Sequence, residues 1–296
     1  MRLATLKSDK TEHACLLTRS GFLPVAAINE SLGTRWGTGV LDIIEAGIDD
    51  MNAWVSSAAE DLNTLSHSII PAGAATLAPL YRRPRKIWGI GLNYRGHAAD
   101  LDENTPTGEP ASFMKPDTTI IGPGDTIRIP KQSHKTTAEA ELGLIFGRRC
   151  KDVPRENWLS ALAGFTTIID MTAEDILRRN PRNLTQSKSF DTFFSFGPVL
   201  ITTDEIADPM SLKVRTVING KRHAENVVRN MTFPPDFLVE YHTAIWTALP
   251  GDIISSGTPG AVPIADGNTV ACEIDGLETL TNTVMDLKAA SQDAGH

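Results

Sequence analysis

The run Thr136-Thr-Ala-Glu-Ala-Glu-Leu-Gly-Leu-Ile-Phe-Gly147 carries two acids one residue apart inside an otherwise apolar, strand-like stretch. Side chains at i and i+2 of a β-strand point to one face, so Glu139 and Glu141 project together. Ala140, Leu142, Leu144 and Phe146 occupy the other face. Two carboxylates held this close repel. The repulsion is relieved by protonating one of them or by setting a cation between them, and we read a cation here.

A third acid follows. The run Gly164-Phe-Thr-Thr-Ile-Ile-Asp170 reads as a β-branched strand that ends on an acid, and strand ends in mixed α/β proteins commonly grip ligands. Between the two strands, residues 154–163 read as a short helix, with Pro154 at its start, Trp158, Leu159 and Leu162 as apolar positions, and Gly164 as its stop. That spacing can bring Asp170 beside the glutamate pair. Three carboxylates with no neighbouring cysteine and no His-x-x-x-His pattern make an all-oxygen site, which suits Mg2+, Mn2+ or Ca2+ better than zinc. Mg2+ is the first expectation, because it retains open positions for water and substrate.

At 296 residues the chain can bury one large core plus a smaller module, and 41% hydrophobic with 22% charged residues is ordinary for a globular protein. A net charge of −8 argues against general nucleic-acid binding. The basic cluster Arg82, Arg83, Arg85 and Lys86 reads as a solvated linker. No apolar core of signal-peptide length opens the chain and no run of about 18 apolar residues spans a bilayer. The expected location is therefore the cytoplasm, with no membrane partner. Cys15, Cys150 and Cys272 are widely spaced and form no Cys-x-x-Cys pair, which fits reduced, buried thiols.

Composition divides the chain near residue 80, where residues 71–84 are rich in small residues and proline. Residues 1–80 read as a small N-terminal α/β module and linker, with strands over 1–6, 14–18 and 22–28 and a helix over about 40 to 59. Residues 81–296 read as the main domain. Asn219-Gly220, between the strand-like 212–218 and 221–225, is a two-residue hairpin signal, and Asp266-Gly267 and Asp275-Gly276 mark further turns. Gly89-Ile-Gly91-Leu-Asn-Tyr94 begins like a dinucleotide loop but lacks a third glycine and a distal acid, so NAD is not expected. Walker, Gly-x-Ser-x-Gly and His-Glu-x-x-His motifs are also missing from the sequence.

Seven segments in order resemble the fumarylacetoacetate hydrolase family over roughly residues 80 to 283. They are Ile87-Trp-Gly-Ile-Gly-Leu-Asn-Tyr-Arg-Gly-His97, Phe113-Met-Lys-Pro116, Ile121-Gly-Pro-Gly-Asp125, Glu139-Ala-Glu141, Asp170-Met-Thr-Ala-Glu-Asp175, Lys188-Ser-Phe-Asp-Thr-Phe193 and Gly251-Asp-Ile-Ile-Ser-Ser-Gly-Thr-Pro259. The resemblance implies an α+β, predominantly β fold, a twisted β-roll of mixed sheets around a few short helices, assembled as a homodimer. It implies Mg2+ or Mn2+ held by Glu139, Glu141 and Asp170, in agreement with the site read from strand spacing. It implies cleavage or rearrangement of small 2-oxo or 1,3-dicarbonyl acids such as acylpyruvates. In that chemistry a bound cation chelates the oxo acid and lowers the cost of the enolate formed when the C–C bond breaks.

The resemblance also assigns roles. His97 and Asp100 stand three residues apart and share a face on a helical turn, so the acid can orient the imidazole while it takes a proton from water. The family's dyad is usually His with Glu, so Asp100 is a shorter partner. Lys188 matches a lysine near the metal whose fixed charge stabilises an enolate or oxyanion; read alone, it is a surface ammonium beside Ser187 and Ser189. Lys115 is expected to touch substrate or support the centre. Thr258, between Gly257 and Pro259, either presents its hydroxyl and N–H to a substrate carboxylate or shapes the turn.

One departure bears on the substrate. Many family members carry Arg four residues after the metal-binding Asp and Gln three later, where this chain has Glu174 and Leu177. An acid cannot replace a guanidinium in binding a carboxylate. Either the substrate lacks an anionic group at that end, or Arg178, Arg179 or Arg182 supplies the charge. Glu174 is expected as an outward-facing helical residue. The leading expectation is a Mg2+-dependent hydrolase that cleaves a C–C bond in an acylpyruvate or related diketo acid. The alternatives are a 2-oxo acid decarboxylase, hydratase or tautomerase on the same metal, and a catalytically silent metabolite-binding protein.

Overall fold

Two mixed sheets form the framework of the computed structural model, which describes residues 1–9, 11–94 and 108–289. The larger sheet runs in the order β3 (Gly21–Pro24), β2 (Thr11–Thr18), β1 (Arg2–Ser8), β10 (Phe194–Thr202), β9 (Leu162–Ala173), β8 (Thr136–Phe146), β13 (Ile253–Ser255), β4 (Ile87–Gly91) and β5 (Ala111–Lys115). The two-residue strands β6 (Ile120–Ile121) and β14 (Val262–Pro263) pair with β10 and β8. The smaller sheet runs β12 (Lys221–Val227), β11 (Lys213–Ile218), β15 (Thr269–Ile274), β16 (Leu280–Asp286) and β7 (Thr126–Ile129). Asn219-Gly220 is the turn between β11 and β12, as the sequence indicates.

Every residue of β8 and β9 is buried. On one face of the ladder Leu142, Leu144, Phe146 and Phe165 join Val214 and Val270 of the smaller sheet in one core. On the other, Ile145 and Ile168 pack with Leu3, Phe194, Ile43 and Ile44 in a second. Each fully buried Leu or Ile contributes about 1.5–3 kcal/mol of transfer free energy. A polar side chain on this ladder is largely withdrawn from bulk water and needs a partner inside the protein.

Residues 1–80 extend the larger sheet, because β1 pairs antiparallel with β10 through Leu3↔Leu200 and Ala4↔Val199. Helix α1 (Val25–Leu32) starts directly after Pro24, so β3 is shorter than the sequence indicates; the buried Val25 and Ile28 show the i,i+3 spacing of a helix face. In α2 (Val40–Ser57), Val40, Ile43, Ile44, Ile48 and Met51 form the buried stripe of an amphipathic helix. The remaining described α-helices are short: α3 (Ala59–Thr64), α4 (Glu174–Arg179), α5 (Leu184–Lys188) and α6 (Pro235–Ile245). The fold is α+β and mainly β, and no described helix is long and apolar enough to cross a membrane.

Two local expectations are corrected. Residues 155–161 form a 3-10 helix that ends before Gly164, and Gly164 sits inside β9 instead of stopping a helix. A Cβ there would lie 2.0 Å from the Ile201 carbonyl oxygen, so glycine is needed for the close approach of β10. Asp170 lies within β9, not at its end, because pairing with β8 continues to Thr136↔Ala173.

Candidate metal centre

In the β8–β9 ladder Glu139 stands directly opposite Asp170, and Glu141 lies two residues further along the same face. One carboxylate oxygen from each lies within 4.8 Å of the others. All three residues are buried, Asp170 completely. The same face supplies their holders. The Thr172 hydroxyl donates to Glu139 Oε1, and the Thr137 hydroxyl donates to the same oxygen at 3.3 Å. Glu141 Oε2 accepts from the Ser255 hydroxyl and, at 2.9 Å, from the Gly257 backbone N–H. Gly257 has φ of 95°, and a Cβ on it would meet Asn93 Cβ at 2.7 Å, so only glycine delivers that N–H. Asn93 in turn donates to the Ser256 and Phe233 carbonyls at 2.7 and 2.9 Å, fixing the loop that clamps Glu141.

Two lysines enter from separate elements. Lys188, at the end of α5, donates to Asp170 Oδ2 at 2.6 Å and to Glu139 Oε2 at 3.0 Å. Lys115, at the end of β5, places its ammonium 2.6 Å from Asp170 Oδ1 and donates to the Met171 carbonyl at 3.3 Å. The Phe113 ring lies 4.5 Å from Lys188 Nζ and adds a cation–π contact.

Three carboxylates against two ammoniums leave one acid without a matching charge. Burial first, then the Asp170 and Glu139 charges, push Glu141 up to about 8. Burial pulls the Lys115 ammonium down to about 8, with the Asp170 charge opposing it and Lys188 adding to it. For Asp170 burial works upward, but attraction to Lys115 and Lys188 prevails and holds the carboxyl below its usual range. Lys188 is the mirror case: burial works downward, and Asp170, Glu139 and Glu141 together hold its ammonium above the usual value. A cluster of oxygen donors with a surplus of acid fits a hard divalent cation.

Charges this deeply buried are costly to a fold unless they serve a ligand, and the fold and centre together define a divalent-metal enzyme. Residues 86–285 match the family described as fumarylacetoacetate (FAA) hydrolase C-terminal, and the chain belongs to the fumarylacetoacetate hydrolase family. It is 39% identical over 217 residues to a protein of Mycobacterium tuberculosis, covering 72% of this chain and 80% of that one. It is 33% identical over 241 residues to the mitochondrial oxaloacetate tautomerase of Xenopus laevis, covering 78% and 75%. The solved structure of maleylpyruvate hydrolase from Sphingobium sp. SYK-6, in complex with manganese(II) ion and pyruvate, shares the fold. Its TM-score is 0.79 at 24% identity, over 97% of this chain and 99% of that one.

The structure brings together Glu139, Glu141, Asp170, Lys188 and Lys115. His97 and Asp100 lie outside the described residues. Thr258 is buried next to Gly257, but its hydroxyl donates to the Gly260 carbonyl at 3.1 Å and accepts from the Gly260 N–H at 3.3 Å, within its own turn. Arg178 donates to Glu174 at 2.7 Å, and Arg179 and Arg182 are exposed. Glu174 corrects an expectation, since it faces inward and is buried. Its carboxylate is paired with Lys135 and Arg178; burial alone would raise its carboxyl, but these two cations hold it below the usual range. The cysteines are all free; Cys15 and Cys272 are buried and Cys150 is half-buried. Thr137, Thr172 and Lys135 escaped the sequence reading, although the period-two rule that paired the glutamates places Thr137 on the same face. Ser255 and Gly257 lay unassigned inside the quoted Gly251 to Pro259 segment.

Proposed function

We propose that the chain is a divalent-metal-dependent hydrolase that cleaves a C–C bond in an acylpyruvate or related diketo acid. The observation that carries this reading is the position of the Lys188 ammonium, 2.6 and 3.0 Å from two of three clustered carboxylates. When bound by Glu139, Glu141 and Asp170, the divalent ion supplies Lewis-acid polarisation of the 2-oxo acid. Lys188 contributes a fixed positive charge beside the developing enolate oxygen, with the Phe113 ring limiting its hydration. Lys115 holds the second oxygen of Asp170, and the two threonines, Ser255 and Gly257 restrain the glutamates, so the donors are set before substrate arrives. His97, oriented by Asp100, takes the proton of the water that adds to the carbonyl carbon. The C–C bond then breaks, its electron pair forms the enolate of pyruvate, and a proton returns to that carbon.

A second reading, keto–enol tautomerisation of a 2-oxo acid, is favoured by the likeness to an oxaloacetate tautomerase over 78% of this chain. It needs the same enolate stabilisation and a proton shuttle, but no attacking water. Purified protein with Mg2+ or Mn2+ is incubated with short acylpyruvates and, separately, with oxaloacetate, and products are resolved by NMR. Release of pyruvate and a carboxylic acid, lost on chelation and in Lys188→Met and His97→Ala, supports the hydrolase. Enol–keto exchange without cleavage replaces it with the tautomerase. Metal-dependent binding of the oxo acids without any turnover points to a binding protein.

A further inference from the structure

Between Lys188 and β10 the chain turns sharply. The Phe193 N–H donates to the Phe190 carbonyl at 3.1 Å, closing a β-turn with Asp191 and Thr192 at its centre. Thr192 has φ of 71°, while Asp191 keeps an ordinary negative φ. That is the pattern of a type II turn, whose third residue is ordinarily glycine, and a β-branched side chain is poorly suited to it. Glycine would adopt this φ without steric cost. Strain of this kind persists only where neighbouring contacts over-determine the backbone.

Two sets of contacts do so here. The Thr192 hydroxyl, on a buried side chain, accepts the Arg128 N–H at 2.8 Å. Arg128 belongs to β7, the outer strand of the smaller sheet, so Thr192 clasps the edge of that sheet to the link that carries Lys188. On the other side the Phe193 carbonyl accepts the Met171 N–H at 3.2 Å, and Phe194 pairs with Asp170 across the β9–β10 ladder. The Phe193 ring lies 5.3 Å from the Phe190 ring and 5.9 Å from Lys115 Nζ. Both arms of the turn thus end at Asp170, one through Lys188 Nζ at 2.6 Å and the other through the pairing of Phe194.

We propose that Thr192 is a positioning residue that fixes the Lys188 ammonium against the metal ligands. This rests on the reading of Lys188 above. The helix that ends on Lys188, α5, has 5 residues and is too short to hold its last side chain by its own hydrogen bonds. The aim of Lys188 therefore depends on what anchors the link that follows. Thr192 anchors it to a strand outside the metal-bearing sheet, and its branched side chain has few rotamers, so the hydroxyl stays where the Arg128 N–H meets it. Glycine would relax the turn and remove the clasp. The strained threonine is kept for the position it imposes.

The test is a double-mutant cycle on Mn2+ affinity, read by calorimetry without any turnover. Loosened from Asp170 and Glu139, the Lys188 ammonium competes less with the dication, so Thr192→Gly binds Mn2+ at least about twofold more tightly than wild type. In a Lys188→Met background the same substitution leaves Mn2+ affinity unchanged, because the group it positions is gone. Thr192→Ser keeps the hydroxyl and restores the wild-type affinity. Thr192→Val, which keeps the branched shape but removes the acceptor, runs the same cycle should the glycine variant fail to fold. A merely structural threonine would move the melting temperature and shift Mn2+ affinity equally in both backgrounds, or in neither. The proposal is overturned by equal effects in the two backgrounds, by no effect in either, or by weaker Mn2+ binding in Thr192→Gly. If the cycle holds but no diketo acid is cleaved, the hydrolase reading falls and this one stands.

Discussion

Replacing Lys188 by Met tests the charge arrangement at the centre most directly. In the native protein its side chain is only 6% exposed, and its ammonium touches two carboxylates, at 2.6 and 3.0 Å. Methionine fills a similar volume and leaves three carboxylates facing one ammonium. Removing one partner of a buried ion pair costs about 3–5 kcal/mol. With about 2.1 cal/mol/K of unfolding entropy per residue, 296 residues give roughly 0.6 kcal/mol/K, so the melting temperature in chelator falls by about 5–8 °C. The same ammonium competes with a dication for the Glu139 and Asp170 oxygens. The variant therefore binds Mn2+ at least about tenfold more tightly, and saturating Mn2+ recovers most of the lost stability by mass action. Turnover of the oxo acid nevertheless falls, because the charge beside the enolate is gone. Differential scanning fluorimetry with and without Mn2+, together with calorimetry, reads all three quantities. An unchanged melting temperature in chelator, or weaker Mn2+ binding by the variant, would refute the view that Lys188 is a counter-charge to the metal ligands.

Further outcomes follow from other parts of the structure. Gly257→Ala forces a Cβ to 2.7 Å from Asn93 and strains a backbone at φ of 95°; it is expected to cost about 1–3 kcal/mol and to weaken Mn2+ binding through Glu141, read by urea denaturation and calorimetry. Leu142→Ala opens a void between the two sheets and costs about 2–5 kcal/mol in urea unfolding, while Mn2+ affinity of the folded protein is preserved because Leu142 points away from the donors. Asp175 accepts from the Ser133 hydroxyl at 2.7 Å and from the His134 N–H at 2.9 Å; burial opposes them, but together these bonds hold its carboxyl below the usual range. Its contribution is thus fully present above the ordinary carboxylate pKa and fades as pH drops through the depressed one. The melting-temperature gap between wild type and Asp175→Asn should accordingly be widest near neutrality and shrink in acid, and a gap independent of pH would contradict this.

What the sequence determined by itself was everything set by local periodicity. Alternation along residues 136–147 placed Glu139 and Glu141 on one face, the stretch from about 40 to 59 read as the helix that is α2, and Asn219-Gly220 specified its hairpin. The chemistry of an all-oxygen donor set was equally legible, because it depends on residue type and not on position. Tertiary structure decided the rest. Only the ladder register sets Asp170 opposite Glu139, and only the separate segments that bring Lys115, Phe113, Lys188 and Gly257 onto that face turn an acidic strand face into a buried one. Lys115 and Lys188 reach Asp170 from 55 and 18 residues away in the chain, and Glu174 turns inward because Lys135 and Arg178 meet it there. Local spacing carries no record of such meetings. They exist because burying a carboxylate is tolerable only where opposite charge converges on it, and that convergence is a property of the assembled layers.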